Sequence, residues 1–376
     1  MPVPLPTPDE VDLVPPTAEE VAATSRAIAT AVAVDGELSA VQRLLLEALY
    51  VSMTGHPAAV EGDAIDARGL GELLRRRNAA FRGRILQVML LGALVLNPLP
   101  EEVIQRVDEC ARELGVDDGM LEVARSYAHG NAALAAFDFE RNGYTAEWDT
   151  QGNEALHTAE SLPEAWAQAV DDPELAARWK ALEELPKGTM GRGITDFYRA
   201  RGFTYPGLPG SAPPLLAQHD WVHVLADYGT TVESELEVFA FIARANDDPR
   251  GFSLLAMVVS LFETGALATG AGLFEADPGH LAKSGMAVRV ADAMRRGALC
   301  AGSNDFMSVD WFAIADQPIE KLRGHFCVPP KSADAVAAGA VGPWDAGGIS
   351  PYQLGAGQEL AAREGREYDS FGASVE

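Results

Sequence analysis

Apolar residues recur along this chain at the spacing of α-helical turns, and this periodicity constrains its fold more than any other feature. Val21, Ile28 and Val32 lie on one helical face, and Leu45 and Leu49 belong to another such set. The sequence lacks the alternation of apolar and polar residues that marks half-buried strands. The pattern therefore predicts an all-α protein, helical in both halves of the chain.

Start and stop signals divide the first half into separate helices. Thr17 and Glu20 form a capping box before the first helix, and Ser39 can cap the second helix after a break at residues 35–39. Three further helices are expected, at residues 82–96, 100–114 and 120–141.

Length and composition predict two domains. The chain has 376 residues, whereas one domain commonly spans about 100–200 residues. A polar, glycine-containing stretch marks the expected linker. The predicted order is a proline-rich acidic arm (1–17), a helical domain (18–142), the linker (143–158), a second helical domain (159–328) and an irregular tail rich in glycine and alanine (329–376).

The charge balance restricts the partners. Lysine and arginine total 29 and aspartate and glutamate total 55, which gives a formal net charge of −26. This charge argues against nucleic acid, because the phosphate backbone attracts basic surfaces. It also argues against adsorption to an anionic membrane, although an apolar patch would still allow peripheral contact. A homodimer and biosynthetic protein partners are left open.

Several features predict a cytoplasmic protein without a transmembrane segment. The longest apolar runs, at residues 85–96 and 252–262, are shorter than the ~20 residues that a spanning helix needs. The N-terminus lacks the basic start and apolar core of a signal peptide. Cys110, Cys300 and Cys327 form no CxxC pair, so neither a zinc ribbon nor a disulfide framework is indicated.

The turn at residues 33–39, with the sequence AVDGELS, resembles the ADGxxS turn of TerB-like domains, a tellurite-resistance helical module. The resemblance implies a helical interaction module over the first half. Asp35, Glu37 and Asp63 are candidates for holding a cation, but a helix-capping turn with a solvated acidic face is the favoured interpretation. His129 is interpreted as a structural histidine.

The second half carries a candidate metal site. His219 and His223 are four residues apart, which on a helix places both rings on one face. Imidazoles and carboxylates are the usual zinc ligands besides cysteine. Asp220 is either a third ligand or a partner that orients an imidazole.

Glu235 can join this site only if the helix breaks. On one continuous helix the twelve residues after His223 would span about 18 Å at the standard rise. Residues 227–230 supply a turn, with Gly229 suited to a helix C-terminus. Thr230 and Glu233 then form a capping box for a new helix, which can fold back and bring Glu235 to the histidines.

HDxxH followed by eleven residues and Glu is the signature of the Coq-four family of ubiquinone-biosynthesis proteins, and this chain resembles that family over residues 160–328. LPKGTMG at 185–191 is similar to the family's LP-x-GT-x-G element. DWF at 310–312 and PIEKLR at 318–323 are similar to its closing W…PL-x-x-R helix. Ser234 precedes Glu235 where the family usually has glycine.

The resemblance implies a divalent metal on His219, Asp220, His223 and Glu235, which are also the predicted catalytic residues. Zinc is expected first, although manganese, cobalt or iron also suit nitrogen and oxygen ligands. The glycine-rich stretch at 265–272 lacks GxGxxG after a strand, so no dinucleotide cofactor is expected.

The resemblance and the site together leave three functions open. The first is an enzyme that acts on a carboxylated aromatic or quinone-like substrate, with or without a prenyl tail, and replaces its carboxyl by hydroxyl in an oxidative decarboxylation. The second is a non-enzymatic, isoprenoid-lipid-binding organiser of a biosynthetic complex. The third is a metal-dependent hydrolase with Glu235 or Asp220 as base. Phe239, Phe241 and residues 252–262 are candidates for lining a lipid tunnel, although core packing is favoured for each one.

Overall fold

The computed structural model describes residues 15–96, 99–116, 171–209, 216–245, 283–300 and 304–373, with isolated positions at 211, 255, 259, 280 and 281. The chain divides into two compact units, Met1–Asn142 and Gly143–Glu376. Extended pairing among the described residues is limited to two isolated bridges. The all-α prediction is therefore confirmed. No helix in these ranges combines the length and hydropathy needed to cross a bilayer.

The first unit contains five described helices. They are α1 (Ala18–Val32), α2 (Ala40–Thr54), α3 (Ala67–Leu73), α4 (Ala79–Leu94) and α5 (Glu101–Leu114). The predicted capping box at Thr17 is present, and Ser39 caps α2 as expected; the two side chains accept hydrogen bonds from the backbone of Glu20 and Gln42. The helices expected at 82–96 and 100–114 correspond to α4 and α5, whose ends lie within a few residues of the predicted ones.

α4 is the central helix of this unit. Its residues from Arg84 to Leu94 are all buried, so the helix has no polar face. Gln42 Nε2 donates to the carbonyl oxygens of Val32 at 2.9 Å and Gly92 at 2.7 Å. One buried amide thus joins α1, α2 and α4, and its burial is tolerated because its two donors are satisfied.

The second unit has eight described helices. They are α6 (Pro173–Ala181), α7 (Met190–Arg201), α8 (Leu216–Ala226), α9 (Val232–Ala245), α10 (Met286–Ala298), α11 (Ile319–His325), α12 (Ala333–Ala337) and α13 (Pro351–Arg363). Short 3-10 turns lie at Leu182–Glu184 and Trp311–Ile314. Trp221 of α8 stacks on Trp311 with centroids 5.9 Å apart and planes inclined by 4°.

α9 and α10 pack closely along their lengths. A Cβ on Gly297 would lie only 2.2 Å from the carbonyl oxygen of Phe241, so this approach requires glycine. Arg289 of α10 donates a 2.6 Å hydrogen bond to Glu237 of α9, and both side chains are buried. A buried ion pair is costly to break, because removing one partner leaves the other charge uncompensated.

The C-terminal segment differs from the irregular tail expected at 329–376. It contains α12 and α13, and α13 packs against α7. A Cβ on Gly357 would lie 2.2 Å from the Ala200 carbonyl oxygen, and one on Gly202 would lie 2.4 Å from the Ala356 carbonyl carbon. The small residues that hide any helical periodicity are the ones that permit this close contact.

Several expectations fall outside the described residues. They concern residues 1–14 of the arm, the helix at 120–141 with His129, the linker at 143–158, most of the stretch 252–262 and the glycine-rich stretch 265–272.

Candidate metal centre

α8 brings His219 and His223 together. The ring centroids are 5.2 Å apart, with planes at 65°. His223 is fully buried and His219 is 6% exposed. The predicted placement of both imidazoles on one helical face is therefore present in the structure.

The chain breaks after α8, as the sequence indicated, but through a different residue. Asp227 takes the left-handed conformation at φ 65°, directly after the last helical residue. Gly229, which the sequence suggested for that role, is needed for another reason. A Cβ at Gly229 would lie 2.9 Å from the Cα of Gly348 in the C-terminal segment. The glycine therefore serves a close backbone approach and not the left-handed turn.

The start of α9 also lies one residue later than its predicted cap. Thr231 Oγ1 accepts a hydrogen bond of 3.4 Å from the Ser234 backbone, which makes Thr231 the capping residue. Thr230 Oγ1 instead hydrogen-bonds to Gln353 Oε1 and accepts from Arg201 Nε at 2.7 Å. Glu233 pairs with His280 at 2.8 Å and not with a capping threonine.

The break folds α9 back so that Glu235 meets both histidines. Glu235 Oε2 lies 3.4 Å from His219 Nε2, and Glu235 Oε1 lies 3.4 Å from His223 Nε2. The candidate ligand atoms of these three residues all lie within 4.8 Å of one another. Metal–ligand bonds of about 2.0–2.2 Å place such atoms roughly 3–4 Å apart. The spacing therefore suits one shared ion.

The hydrogen bonding of His223 supports the same conclusion. Its ring is fully buried, yet neither Nδ1 nor Nε2 makes a hydrogen bond. Buried polar atoms are normally paired, so such an atom needs an explanation. An ion held between His223 and Glu235 would satisfy Nε2.

Glu235 is anionic in this environment. Burial by itself raises the pKa of its carboxyl, but the adjacent imidazoles of His223 and His219 outweigh burial and lower the pKa to about 2. An ionised carboxylate beside two imidazoles is the donor set that a divalent metal requires.

Asp220, the fourth predicted residue, lies beside this group. Its Oδ1 is 3.5 Å from His219 Nε2, but Asp220 is not part of the three-residue ligand group. Its Oδ2 accepts a 2.6 Å hydrogen bond from the Tyr198 hydroxyl. Burial raises the pKa of Asp220, against the lowering influence of the two histidines and Tyr198. The structure thus groups three of the four residues and joins Asp220 to Tyr198.

Aromatic rings fix the orientation of both imidazoles. His223 stacks on Phe197 of α7 with centroids 5.6 Å apart, and His219 stacks on Phe239 of α9 with centroids 4.9 Å apart. Phe239 was a candidate for a lipid tunnel, and in the structure its ring packs on that of His219. Packing of this kind restricts ring rotation, which preorganises a metal site.

Cationic side chains cap the C-terminus of α8. Arg323 donates to the carbonyl oxygens of Val224 and Leu225, and Arg296 donates to that of Ala226 at 2.7 Å. Lys331 donates to the carbonyl oxygen of Asp227, the first residue after the helix. The last carbonyls of a helix lack intrahelical partners and carry partial negative charge, so these cations stabilise the histidine helix.

The two family-like elements on either side of the HDxxH motif contact each other. Ile319 donates its backbone N–H to the Gly188 carbonyl at 3.0 Å, and Met190 donates to the carbonyl of Gln317, just before the second element, at 2.9 Å. A Cβ on Gly191 would lie 2.6 Å from Leu185 Cδ1. The Ala315 Cβ would lie 3.0 Å away as well, so packing at the start of α7 favours a glycine here.

Two residues near the site were missed at the sequence level, Tyr198 and Arg201. Arg201 is fully buried and donates to Thr230 Oγ1 and, at 2.9 Å each, to the carbonyl oxygens of Pro343 and Gly348. Burial lowers the pKa of Arg201 to about 9. Both residues share the buried face of α7 with Ile194, at the spacing of helical turns, and that pattern was the available signal.

The acidic residues of the first unit do not form a comparable group. Among the residues that the structure describes, Asp35, Glu37 and Asp63 are not brought together as ligands. Asp35 and Gly36 form a left-handed turn, and the backbones of Val34 and Glu37 pair across it at 3.0 Å. This geometry agrees with the favoured interpretation, a turn between two helices.

No protein-family description and no curated protein sequence matches this chain. The fold and the site therefore define the class on their own. The second unit is a helical fold with a buried His-His-Glu group suited to a divalent metal. The Coq-four and TerB-like resemblances stay predictions from short motifs.

Proposed function

We propose that the second unit is a metal-dependent enzyme acting on a carboxylated aromatic or quinone-like substrate, with or without a prenyl tail. The observation that carries the metal is the buried group of His219, His223 and Glu235, with both nitrogens of His223 lacking hydrogen bonds. The substrate class rests on the Coq-four resemblance.

The donor set bears on the identity of the ion. Two imidazoles and one carboxylate suit zinc, and they also suit manganese, cobalt and iron. The same set, with open positions, is found in non-haem iron(II) oxygenases, which is compatible with oxidative chemistry. When bound, the ion would supply Lewis-acid polarisation of an oxygen on the substrate.

The proposed reaction replaces an aromatic carboxyl by hydroxyl. The bond between the ring and the carboxyl carbon breaks, a ring–oxygen bond forms, and the carboxyl leaves as carbon dioxide. Dioxygen is the oxidant and oxygen source, so that two aromatic acids and one dioxygen give two phenols and two carbon dioxide molecules. The chain's own contribution is to bind and orient the substrate beside Glu235 and the Asp220–Tyr198 pair and to exclude water.

Metal content is the first test. The purified wild-type chain should hold about one divalent ion, and His223→Ala should release it, because loss of a ligand leaves the shell incomplete. His325→Ala is the matched control, since His325 is exposed and lies on α11. Equal metal in wild type and His223→Ala would contradict the proposal.

Turnover is the second test. The protein loaded in turn with zinc, manganese, cobalt or iron(II) is incubated in air with 4-hydroxybenzoate-type carboxylates, with and without a prenyl tail. Carbon dioxide release together with dioxygen uptake, both lost in His219→Ala, supports the enzyme. Tight binding of isoprenoid lipid without turnover supports the organiser instead, and hydrolysis of the methyl esters of the same acids without dioxygen uptake supports the hydrolase.

A further inference from the structure

We propose that Tyr198 is a positioning residue that holds Asp220 outside the ligand shell and thereby keeps one coordination position of the metal open to substrate. This inference rests on the proposed metal centre and concerns which residues do not bind the ion. Three protein ligands with an open position are typical of catalytic zinc sites, whereas four protein ligands close a structural site.

Asp220 is near enough to become a fourth ligand. It follows His219 directly on α8, and its Oδ1 lies 3.5 Å from His219 Nε2. That distance is close to the 3.4 Å between His219 Nε2 and the Glu235 carboxylate. A small rotation of the Asp220 side chain would therefore bring a second carboxylate to the ion.

Tyr198 opposes this rotation. Its hydroxyl donates a 2.6 Å hydrogen bond to Asp220 Oδ2. The hydroxyl is the hydrogen-bond partner that the structure shows for this oxygen, and both residues are buried. Moving Asp220 to the metal would break the bond in a place without water to replace it.

The tyrosine ring is itself held in place, so it does not follow the aspartate. It is 1% exposed and packs against Trp179 at 4.9 Å, Phe203 at 5.5 Å and Tyr205 at 5.7 Å between centroids. Trp179 belongs to α6, and Phe203 and Tyr205 lie in the segment that follows α7. The hydroxyl therefore has a fixed position relative to α8.

The test uses cobalt as the metal and azide as the probe. Cobalt(II) bound at the site absorbs visible light, and an anion that enters an open position changes the absorption bands. Wild-type protein should bind cobalt and show an azide-induced shift. Tyr198→Phe keeps the ring and its packing but releases Asp220, so the azide shift should be lost. Cobalt should then be held about tenfold tighter, in the range over which outer-shell partners change metal affinity.

A double variant separates this role from damage to the fold. Tyr198→Phe combined with Asp220→Ala removes the competing carboxylate and should restore the azide shift. If Tyr198→Phe responds to azide as the wild type does, or if cobalt-loaded wild type shows no shift at all, the inference is wrong while the metal centre stands. If wild type binds none of the tested metals, the metal centre itself fails and the inference with it.

Discussion

Arg323 Nε donates a 2.8 Å hydrogen bond to the carbonyl oxygen of Leu225, two residues after His223. The arginine belongs to α11, and the carbonyl is one of the last in α8. α11 thus caps the helix that carries both histidines.

Arg323→Ala should lower the free energy of unfolding of the second unit by about 1–2 kcal/mol, because two helix-terminal carbonyls lose a charged donor. Tryptophan fluorescence during urea unfolding reports on this unit, since all six tryptophans lie within it. Lys321→Ala on the exposed face of the same helix should change stability by less than about 0.5 kcal/mol. Equal effects of the two variants would show that the cap has no special role.

Gly229→Ala tests the turn between α8 and α9. The new Cβ would meet the Gly348 backbone at 2.9 Å, and overpacking of this kind costs about 1–3 kcal/mol. Metal affinity should fall as well, because the turn sets the position of Glu235. Gly355→Ala is the matched control. Gly355 lies inside α13 with nothing within 4 Å of its Cβ position, so alanine should stabilise the chain by roughly 0.5–1 kcal/mol.

Arg201→Met should release the C-terminal segment. The substitution keeps much of the side-chain volume but leaves the carbonyls of Pro343 and Gly348 without this donor, at a cost of about 3 kcal/mol or more. Hydrogen exchange of residues 343–353 should accelerate more than that of α7. Arg199→Met removes the same charge from the same helix, and unchanged exchange is expected there. Protection at 343–353 that survives in Arg201→Met would contradict the role given to Arg201.

The Glu20–Arg77 ion pair predicts a pH dependence in the first unit. The Arg77 hydrogen bonds lower the pKa of Glu20 from 4.5 to about 2, although partial burial opposes them. Because the folded pKa is lowered, the stabilisation is complete above pH 4.5 and is lost as the pH falls toward 2. A contribution of about 1 kcal/mol is expected for a partly exposed pair.

This loss is measured as hydrogen exchange of α1, corrected for the intrinsic effect of pH. As the pH falls, hydrogen exchange of α1 should increase less in Glu20→Gln than in wild type. Glu19→Gln removes the same charge from the adjacent exposed residue, and wild-type behaviour is expected. If Glu20→Gln opens with the same acid dependence as wild type, the ion pair does not account for it.

The local features of the chain were predictable from sequence because they depend on neighbouring residues. Thr17 and Ser39 cap their helices through contacts three residues away. The sequence also predicted a break in the helix between His223 and Glu235. Its details at Asp227 and Thr231 depend on the segment packed against the turn, so sequence alone misplaced them by one or two residues.

The features that sequence did not reveal depend on distant residues. Tyr198 meets Asp220 because α7 packs on α8, and no spacing rule links the two positions. The helices at Ala333–Ala337 and Pro351–Arg363 were missed because alanine and glycine carry little hydrophobic periodicity. In the structure Gly357 of the second of these helices is small because the backbone of Ala200 passes close to it.

The hydrogen bond from Arg201 to the Gly348 carbonyl joins residues 147 positions apart, and Thr230 bonds to Gln353 across 123 positions. During synthesis the histidine helix therefore leaves the ribosome well before the segment that completes its surroundings. At typical rates of about 5–20 residues per second, the 147 residues after Arg201 take about 7–30 s to make. During that interval the Arg201 guanidinium, which is buried in the finished protein, is exposed to water. The second unit can therefore bury this charge only after residue 348 has been made.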